Sequence, residues 1–173
     1  LFSKDKSLPK KITNICLVTS VEGAAIKDFL YVLNAKGFMG RISVINAVVQ
    51  GKDCPQSVVN GLLQADKGDY DVIVVMRGGG SLEDLFGFSS EEVVRALYNC
   101  ATPTISAIGH EIDYMLSDYV ANCRAPTPSI AGDIVCDANK LNVEITKMKY
   151  LSKINNTINE YLLHLSNYKN MIP

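Results

Sequence analysis

The sequence predicts an α/β fold: a Rossmann-like open parallel sheet of about four or more strands with flanking helices, followed by a long, coiled-coil-like helical segment. Three observations predict it. Short β-rich runs alternate with helical patterns up to residue 128, one of these runs is apolar throughout, and residues 129–173 carry apolar side chains at heptad spacing. Alternating strands and helices favour βαβ units, and an all-apolar run is typical of a parallel strand covered on both faces.

The first predicted strand covers residues 15–19, and the helix that follows covers residues 24–36. The apolar face of this helix has the three-and-four spacing of a packed helix. Its members are Ile26, Phe29, Leu30 and Leu33. Gly37 follows where a helix C-cap is expected.

Three further strands are predicted, at residues 42–49, 72–76 and 104–108. Pro55 is expected in the first turn of the helix after the second strand. A helix at residues 90–98 separates the third strand from the fourth, with Ser89 as its candidate cap and two glutamates in its first turn.

The character of the chain changes after Pro128, and we expect an α/β domain at residues 1–128 and a truncated helical extension at residues 129–173. Apolar residues recur there in heptads, with one phase slip, in these tracks: Ile134, Leu141 and Met148; Leu151, Ile158, Leu165 and Ile172; Ile154, Tyr161 and Tyr168. One long helix or a helical hairpin that pairs with another helix is predicted, with Thr127 or Ser129 as its cap.

Composition favours a soluble globular protein, since 47% of the residues are apolar and 20% are charged. No run is long enough to span a membrane and no signal peptide is recognisable, so a cytoplasmic location is expected. Five scattered cysteines without a CxxC pair favour small buried side chains over a zinc site or disulfides. The net charge of −1 lacks the basic excess that nucleic-acid binding usually needs.

The strongest candidate site follows the apolar third strand and reads Arg77-Gly78-Gly79-Gly80-Ser81. Glycines let backbone amides approach an anion, and an arginine can hold two phosphate oxygens at once. The alternative is a flexible turn with its arginine in solvent, but the buried strand before it favours the anion site. Glu83 and Asp84 either cap a turn, position Arg77 or are solvated, and solvation is the favoured interpretation.

A second candidate site follows the fourth strand and reads Gly109-His110-Glu111-Ile112-Asp113. Histidine acts as a general acid or base near neutral pH, and a neighbouring carboxylate can orient it. The structural alternative is a histidine in a turn before two acids at a helix start. Because the carboxyl ends of parallel strands share one edge of a sheet, where ligands bind, the functional interpretation is preferred.

The third candidate region is the loop from Ser20 to Gly23, with Asp28 one turn into the helix beyond it. A loop at a helix N-terminus is a plausible anion contact. Asp28 lies off the apolar face of its helix, so solvent exposure is the simpler account. Arg124 lies in a stiff Pro-rich turn and either points back to the site or has a structural role.

Taken together, these segments resemble the large subunit of bacterial exodeoxyribonuclease VII. The resemblance rests on their order and spacing over roughly the first three quarters of the chain. The segments are Leu8-Pro9 with Ile12, Val18-Thr19-Ser20 with Gly23-Ala24-Ala25-Ile26-Lys27-Asp28, Val48-Val49-Gln50-Gly51, Arg77-Gly78-Gly79-Gly80-Ser81-Leu82-Glu83-Asp84-Leu85, Ser106-Ala107-Ile108-Gly109-His110-Glu111-Ile112-Asp113, Asp118-Tyr119-Val120-Ala121 and Arg124-Ala125-Pro126-Thr127-Pro128-Ser129.

The resemblance implies an exonuclease that hydrolyses single-stranded DNA from both ends to short oligonucleotides. It places the family's functional positions on Asp28, Arg77, His110 and Asp113. Phosphate contacts are expected from the loops that carry Ser20, Gly23, Gly78, Gly79, Gly80 and Ser81, with Glu83, Glu111 and Arg124 as supporting residues. It also implies several copies of a small helical subunit, a larger oligomer through the coiled coil, and an N-terminal OB-type domain that we do not expect within these residues.

The metal requirement stays open, since members of this family differ in it. If Mg²⁺ binds, Asp28, Glu111 and Asp113 are the candidate oxygen ligands, and metal-independent hydrolysis is the alternative. Two other classes of function are weighed against the nuclease: a non-catalytic nucleotide- or anion-binding module on an assembly coiled coil, and a structural subunit in which the helix alone matters.

Overall fold

The computed structural model describes residues 7–109 and 114–169, and within these ranges the side chains of residue 82, residues 140–146 and residues 161–169 lie outside the description. Five parallel strands form one sheet in the order β2-β1-β3-β4-β5. Their bounds are Asn14–Thr19 for β1, Arg41–Asn46 for β2, Val72–Arg77 for β3, Thr104–Ile108 for β4 and Cys123–Arg124 for β5. The predicted α/β class with a parallel sheet is confirmed, and the two-residue β5 is an addition to the four predicted strands.

Helices cover both faces of this sheet. They are α1 (Ala24–Ala35), α2 (Cys54–Ala65), α3 (Leu82–Leu85), α4 (Glu91–Asn99), α5 (Leu116–Val120) and α6 (Pro128–Lys169), with a 3-10 turn at Phe86–Ser89. One core joins the sheet to α2, α4 and α5, and the other joins it to α1 and the first turns of α6. Successive residues of β1 and β3 alternate between these two cores, as the two-residue period of a strand requires.

Strand β2 ends three residues earlier than predicted. The apolar run continues to Val49, but the amide of Val48 donates to Ser57 Oγ on α2 at 2.8 Å, so the chain has already turned towards the helix layer. The pairing of the two strands also ends here, because Asn46 is the last residue of β2 paired with β1. Local β propensity was overridden by this tertiary contact.

Two predicted helix details are corrected. Leu30 is 38% exposed, and Ala25 takes its place on the buried face of α1 beside Ile26, Phe29 and Leu33. Helix α4 begins after Ser90 rather than Ser89, because Ser89 belongs to the preceding 3-10 turn and its hydroxyl accepts from the Leu116 amide at 3.0 Å. Gly37 has a φ of 69°, as its predicted role after α1 requires.

The long C-terminal helix is continuous from Pro128 to Lys169, which decides against a hairpin within that range. Thr127 caps it, since its Oγ1 accepts from the Ile130 amide at 3.3 Å. Gly132 allows α6 to approach α1 closely, because a Cβ built there would lie 3.1 Å from Val32 Cβ. Farther along, the side chains of residues 147–160 are all exposed.

The cysteines are free, and all except Cys123 are buried, as predicted for small core side chains. Within the described ranges, no helix combines the length and apolar character that a membrane span requires.

Candidate functional site at the carboxyl edge of the sheet

Arg77 is the last residue of β3 and is paired in register with Ile108, the last residue of β4. It is 3% exposed although it carries a full charge. Burial of an unpaired charge is strongly unfavourable, so the groups around the Arg77 guanidinium indicate what this site can bind. The alternation of β3 directs its side chain towards the α2 layer, where Cys54 lies near enough to interact with its charge.

Asp84 holds one side of this guanidinium. Its Oδ2 lies 3.1 Å from Arg77 Nη2 and accepts a second hydrogen bond from Ser81 Oγ at 2.9 Å. Ser81 is also the N-cap of α3, because its hydroxyl accepts from the Asp84 amide. The interpretation of Asp84 as solvated is therefore wrong: it positions Arg77. The Ser-x-x-acid pattern of a capping box was the signal for this role.

Gly80 lies directly against the guanidinium. A Cβ built on Gly80 would lie 2.1 Å from Arg77 Nη2 and 2.6 Å from Cζ, so any side chain there displaces the charged group. Gly78 lies against the first turn of α1, where a built Cβ would be 3.5 Å from the Ala25 amide nitrogen. The loop that contains Gly78 and Gly80, which we call the glycine loop, thus reaches from Arg77 to the start of α1.

The other side of the guanidinium has an unused donor. Among the described residues, Arg77 Nη1 is buried and has no hydrogen-bond partner. Leaving a buried charged donor unsatisfied costs free energy, and an anion at this position would remove that cost. A phosphate oxygen is suited to it, since guanidinium–phosphate contacts are charge-assisted and directional.

Cys54, at the start of α2, does not neutralise Arg77. Burial raises the pKa of its thiol to about 11, although the charge of Arg77 acts in the opposite direction. The thiol is therefore neutral at physiological pH, and it is not an activated nucleophile.

The loop after β1 carries the other residues that we predict to contact phosphate. The Gly23 amide donates to Ser20 O at 3.2 Å, which closes a turn that leads into α1. Gly23 is the N-cap of α1 and gives it no side-chain cap, so the first amides of the helix are not satisfied by a capping side chain. A groove of about 480 Å³ borders this loop, lined by residues 20–23 and 46–50.

Asp28 lies in the second turn of α1 with an exposed side chain. Helix α1 belongs to the layer opposite the one that Arg77 faces, and no ion pair joins the two residues within the described ranges. Both lie near the carboxyl edge, however, because α1 starts directly after the β1 loop. Glu83 is exposed on α3.

His110, Glu111 and Asp113 lie outside the described residues. What is described is their approach: β4 ends at Ile108, beside Arg77, and Gly109 follows with a φ of 88°. This left-handed backbone conformation favours glycine and turns the chain sharply away from the strand.

Arg124 lies at the end of β5, and its described ion pair is with Asp118, at 3.4 Å between Nε and Oδ2. Asp118 also accepts from Ser106 Oγ at 2.6 Å and from the Met115 amide at 3.0 Å. This carboxylate ties β4, β5 and the start of α5 together. Sequence reasoning missed its role, because the burial of one aspartate in a five-residue helix has no local signature.

The predicted site residues are thus partly assembled. The structure brings together Arg77, Gly80, Ser81 and Asp84, and it places Gly78 beside Ala25 in the first turn of α1. In the part of the chain that is described, no cluster of three or more His, Cys, Asp or Glu side chains is arranged to hold a metal ion. Of the three candidate ligands, Asp28 alone falls within that part.

Comparison with known proteins gives the family. The model of the exonuclease VII large-subunit family matches residues 2–172. The exodeoxyribonuclease 7 large subunit of Campylobacter lari is 42% identical over 172 residues, which is 96% of this chain and 42% of that protein. That of Campylobacter jejuni is 42% identical over 171 residues (94% and 44%), and that of Oceanobacillus iheyensis is 40% identical over 164 residues (92% and 36%).

The chain spans about two fifths of the length of these curated relatives. Among solved structures, a GDP-L-fucose synthetase from Naegleria fowleri is similar with a TM-score of 0.38 and 11% identity, covering 89% of this chain and 49% of that one, which is too remote to inform either fold or function. The family match extends over nearly every residue, including the three strand ends that form the candidate site. The chain belongs to the exonuclease VII large-subunit family.

Proposed function

We propose that this chain contains the phosphodiester-hydrolysing centre of an exodeoxyribonuclease that degrades single-stranded DNA from both ends to short oligonucleotides. The observation that carries the proposal is the buried Arg77 guanidinium, which Asp84 holds on one side and whose Nη1 has no hydrogen-bond partner among the described residues. A preorganised cation with a free donor is suited to the negative charge that develops on a phosphate during hydrolysis.

In this proposal Arg77 and the glycine loop bind the scissile phosphate. Ser81 acts through Asp84, which fixes the direction of the guanidinium. Gly78 lies against Ala25 in the first turn of α1, and the Ser20–Gly23 loop leads into that turn, where backbone amides can donate to an anion. The support for a shared site is that β1 and β3 adjoin at the point where the strand order reverses, which is where open α/β sheets bind ligands.

His110, oriented by Asp28 or Asp113, is proposed to activate water or to protonate the leaving oxygen. The support is positional: residue 110 follows the end of β4, the neighbour of Arg77's strand. If the reaction uses Mg²⁺, Asp28, Glu111 and Asp113 would supply its oxygen ligands. A titration of cleavage with a chelator separates this route from metal-independent hydrolysis.

We propose that residues 1–128 hydrolyse the DNA and that residues 129–173 mediate assembly with other subunits. The exposed apolar side chains of α6 support this division, and they are Met148, Leu151, Ile154 and Ile158. Such a heptad face is suited to a coiled coil with several copies of a small helical subunit, and hence to a larger oligomer. We further propose that an OB-type domain grips the strand and that the enzyme acts in the cytoplasm.

The test uses the natural full-length protein reconstituted with its small subunit. Cleavage of end-labelled single-stranded DNA and equilibrium DNA binding are measured separately for the wild type, Arg77→Ala and His110→Ala. Loss of an oriented charge-stabilising donor is expected to lower kcat by roughly 10²–10³-fold. Arg95→Ala is the matched control, because Arg95 forms an exposed pair with Glu91 on α4.

Cleavage by Arg77→Ala at the rate of the control would exclude the assignment of the site. A wild-type protein that binds mononucleotides or DNA through Arg77 but never hydrolyses DNA would instead identify the alternative, a non-catalytic nucleotide- or anion-binding module.

A further inference from the structure

Two exposed tyrosine rings lie close together just before helix α5 and within it. Tyr114 is 55% exposed and Tyr119 is 63% exposed, and their ring centroids are 6.0 Å apart with a 35° angle between the planes. Leu116, between them in the chain, is 54% exposed. Large rings that remain in water when a protein folds are candidates for contact with a ligand.

One face of the Tyr114 ring is held in place by an arginine. The Cζ of Arg124 lies 3.8 Å from its centroid, a cation–π contact. Arg124 is in turn fixed by Asp118, whose carboxylate is anchored by Ser106 on β4. A rigid ring loses little conformational entropy on binding, so this support prepares Tyr114 for stacking.

The position of the rings relates them to the DNA strand. Tyr114 directly follows Asp113, the last residue of the segment that carries His110. Helix α5, which carries Tyr119, packs against β4, whose end is paired with Arg77. A strand whose phosphate lies at Arg77 would therefore have bases within the neighbourhood of these rings.

We infer that Tyr114 and Tyr119 form a stacking platform for unpaired bases of the DNA strand, with Arg124 holding the Tyr114 ring in place. The inference rests on the proposed function and names how that site recognises its substrate. Every base has a π face, so stacking is tolerant of sequence, and a base paired in a duplex does not offer that face. The platform thus favours single strands without selecting a sequence.

The test combines protein variants with altered DNA. Binding is measured in the natural full-length protein with its small subunit, in an Arg77→Ala background that suppresses cleavage. Tyr114→Leu and Tyr119→Leu each remove the ring but keep apolar volume, while Tyr114→Phe and Tyr119→Phe keep the ring. Tyr31→Leu is the matched control, since Tyr31 is 75% exposed on α1.

For an oligothymidylate, each leucine variant should bind about tenfold more weakly, while the phenylalanine variants and the control bind as the background protein does. For an oligonucleotide of abasic sites, the leucine variants should show no added weakening. Equal losses on both oligonucleotides, or no loss on either, would overturn the platform. So would leucine variants whose only change is weaker assembly with the small subunit, because the rings would then form a protein interface.

Failure of the platform and failure of the nuclease are distinguishable in this design. Cleavage by the wild type tests the nuclease alone, whereas the difference between thymidylate and abasic oligonucleotides tests the rings alone.

Discussion

Two arginine–aspartate pairs lie near the carboxyl edge of the sheet, and they are built in opposite ways. In the first, the Arg77 side chain is 4% exposed and the Asp84 side chain 37% exposed. In the second, the Asp118 side chain is 1% exposed and the Arg124 side chain 17% exposed. A serine hydroxyl supports the carboxylate in each pair, Ser81 in one and Ser106 in the other.

The two pairs differ in whether the buried partner has a hydrogen bond at each of its polar atoms. Both oxygens of Asp118 are used, by Ser106 Oγ on one side and by the Met115 amide and Arg124 on the other. The buried group of the first pair is the guanidinium, and its Nη1 has no partner in the described part of the chain. A buried charged group whose polar atoms all have hydrogen-bond partners links elements of the fold, whereas one with an unsatisfied donor can bind a ligand.

The largest expected effect tests the second pair as a structural joint. Asp118→Ala should lower the free energy of unfolding by roughly 3 kcal/mol, because it removes the buried carboxylate that pairs with Arg124 and accepts from Ser106 Oγ and the Met115 amide. Urea denaturation measures the change. Asp84→Ala is the comparison and should cost less, about 2 kcal/mol: Asp84 is itself 37% exposed, although its loss leaves the buried Arg77 guanidinium without its ion pair. Equal losses in the two variants would remove the distinction between the pairs.

The next effect tests the first pair as a ligand site. Gly80→Ala should lower the rate of DNA cleavage by about 50-fold, because its methyl group displaces the Arg77 guanidinium, as removal of an oriented donor would. The cost in stability should stay below about 1 kcal/mol, since the end of an arginine side chain can move. In an Arg77→Ala background the same substitution should add little further loss, because both changes act through one group.

Asp84→Asn tests positioning with a smaller effect. The neutral amide still accepts a hydrogen bond but no longer pairs with the charge of Arg77, so kcat should fall by about tenfold while DNA binding changes little. The measurement is single-turnover cleavage at saturating DNA. A rise in KM with kcat unchanged would show that Asp84 contributes to binding rather than to the orientation of Arg77.

Cys54→Ala should have the smallest effect, less than about twofold on cleavage, because a neutral thiol gives Arg77 no counter-charge. Its pKa is raised from 9.0 to about 11 by burial, so the folded chain keeps a proton that the unfolded chain releases, and stability falls as pH rises from about 9 to 11. Cys54→Ala should make that fall shallower. A large loss of cleavage would mean instead that a thiolate takes part in the site.

The sequence predicted most of the secondary structure because the signals are local. The apolar run before Arg77 predicted β3 to within one residue, and β4 was predicted at its observed bounds. The end of β2 was missed because Val48 bonds to Ser57, nine residues away. Strand β5 was missed because two residues have no periodicity, and it exists only through its pairing with β4.

The candidate site shows the same division. Arg77 and its glycine loop were predicted from a buried strand that ends in a charge and three flexible residues, while the preference for a solvated Asp84 was wrong. Asp118 was missed because its burial depends on Ser106, Met115 and Arg124, which only the fold brings together. The chemical roles of Asp28, His110 and Asp113 stay predictions.

By itself, the sequence determined the α/β class, the parallel strands, the helical character of the C-terminal segment and the strand ends where charged residues collect, since periodicity and glycine placement are properties of neighbouring residues. Only the tertiary structure decided that, among the described residues, Arg77 keeps an unpaired Nη1 donor while Arg124 is held by Asp118. The physical reason is that the state of a buried charge depends on partners from other elements, and those partners are chosen by packing rather than by the order of the residues in the chain.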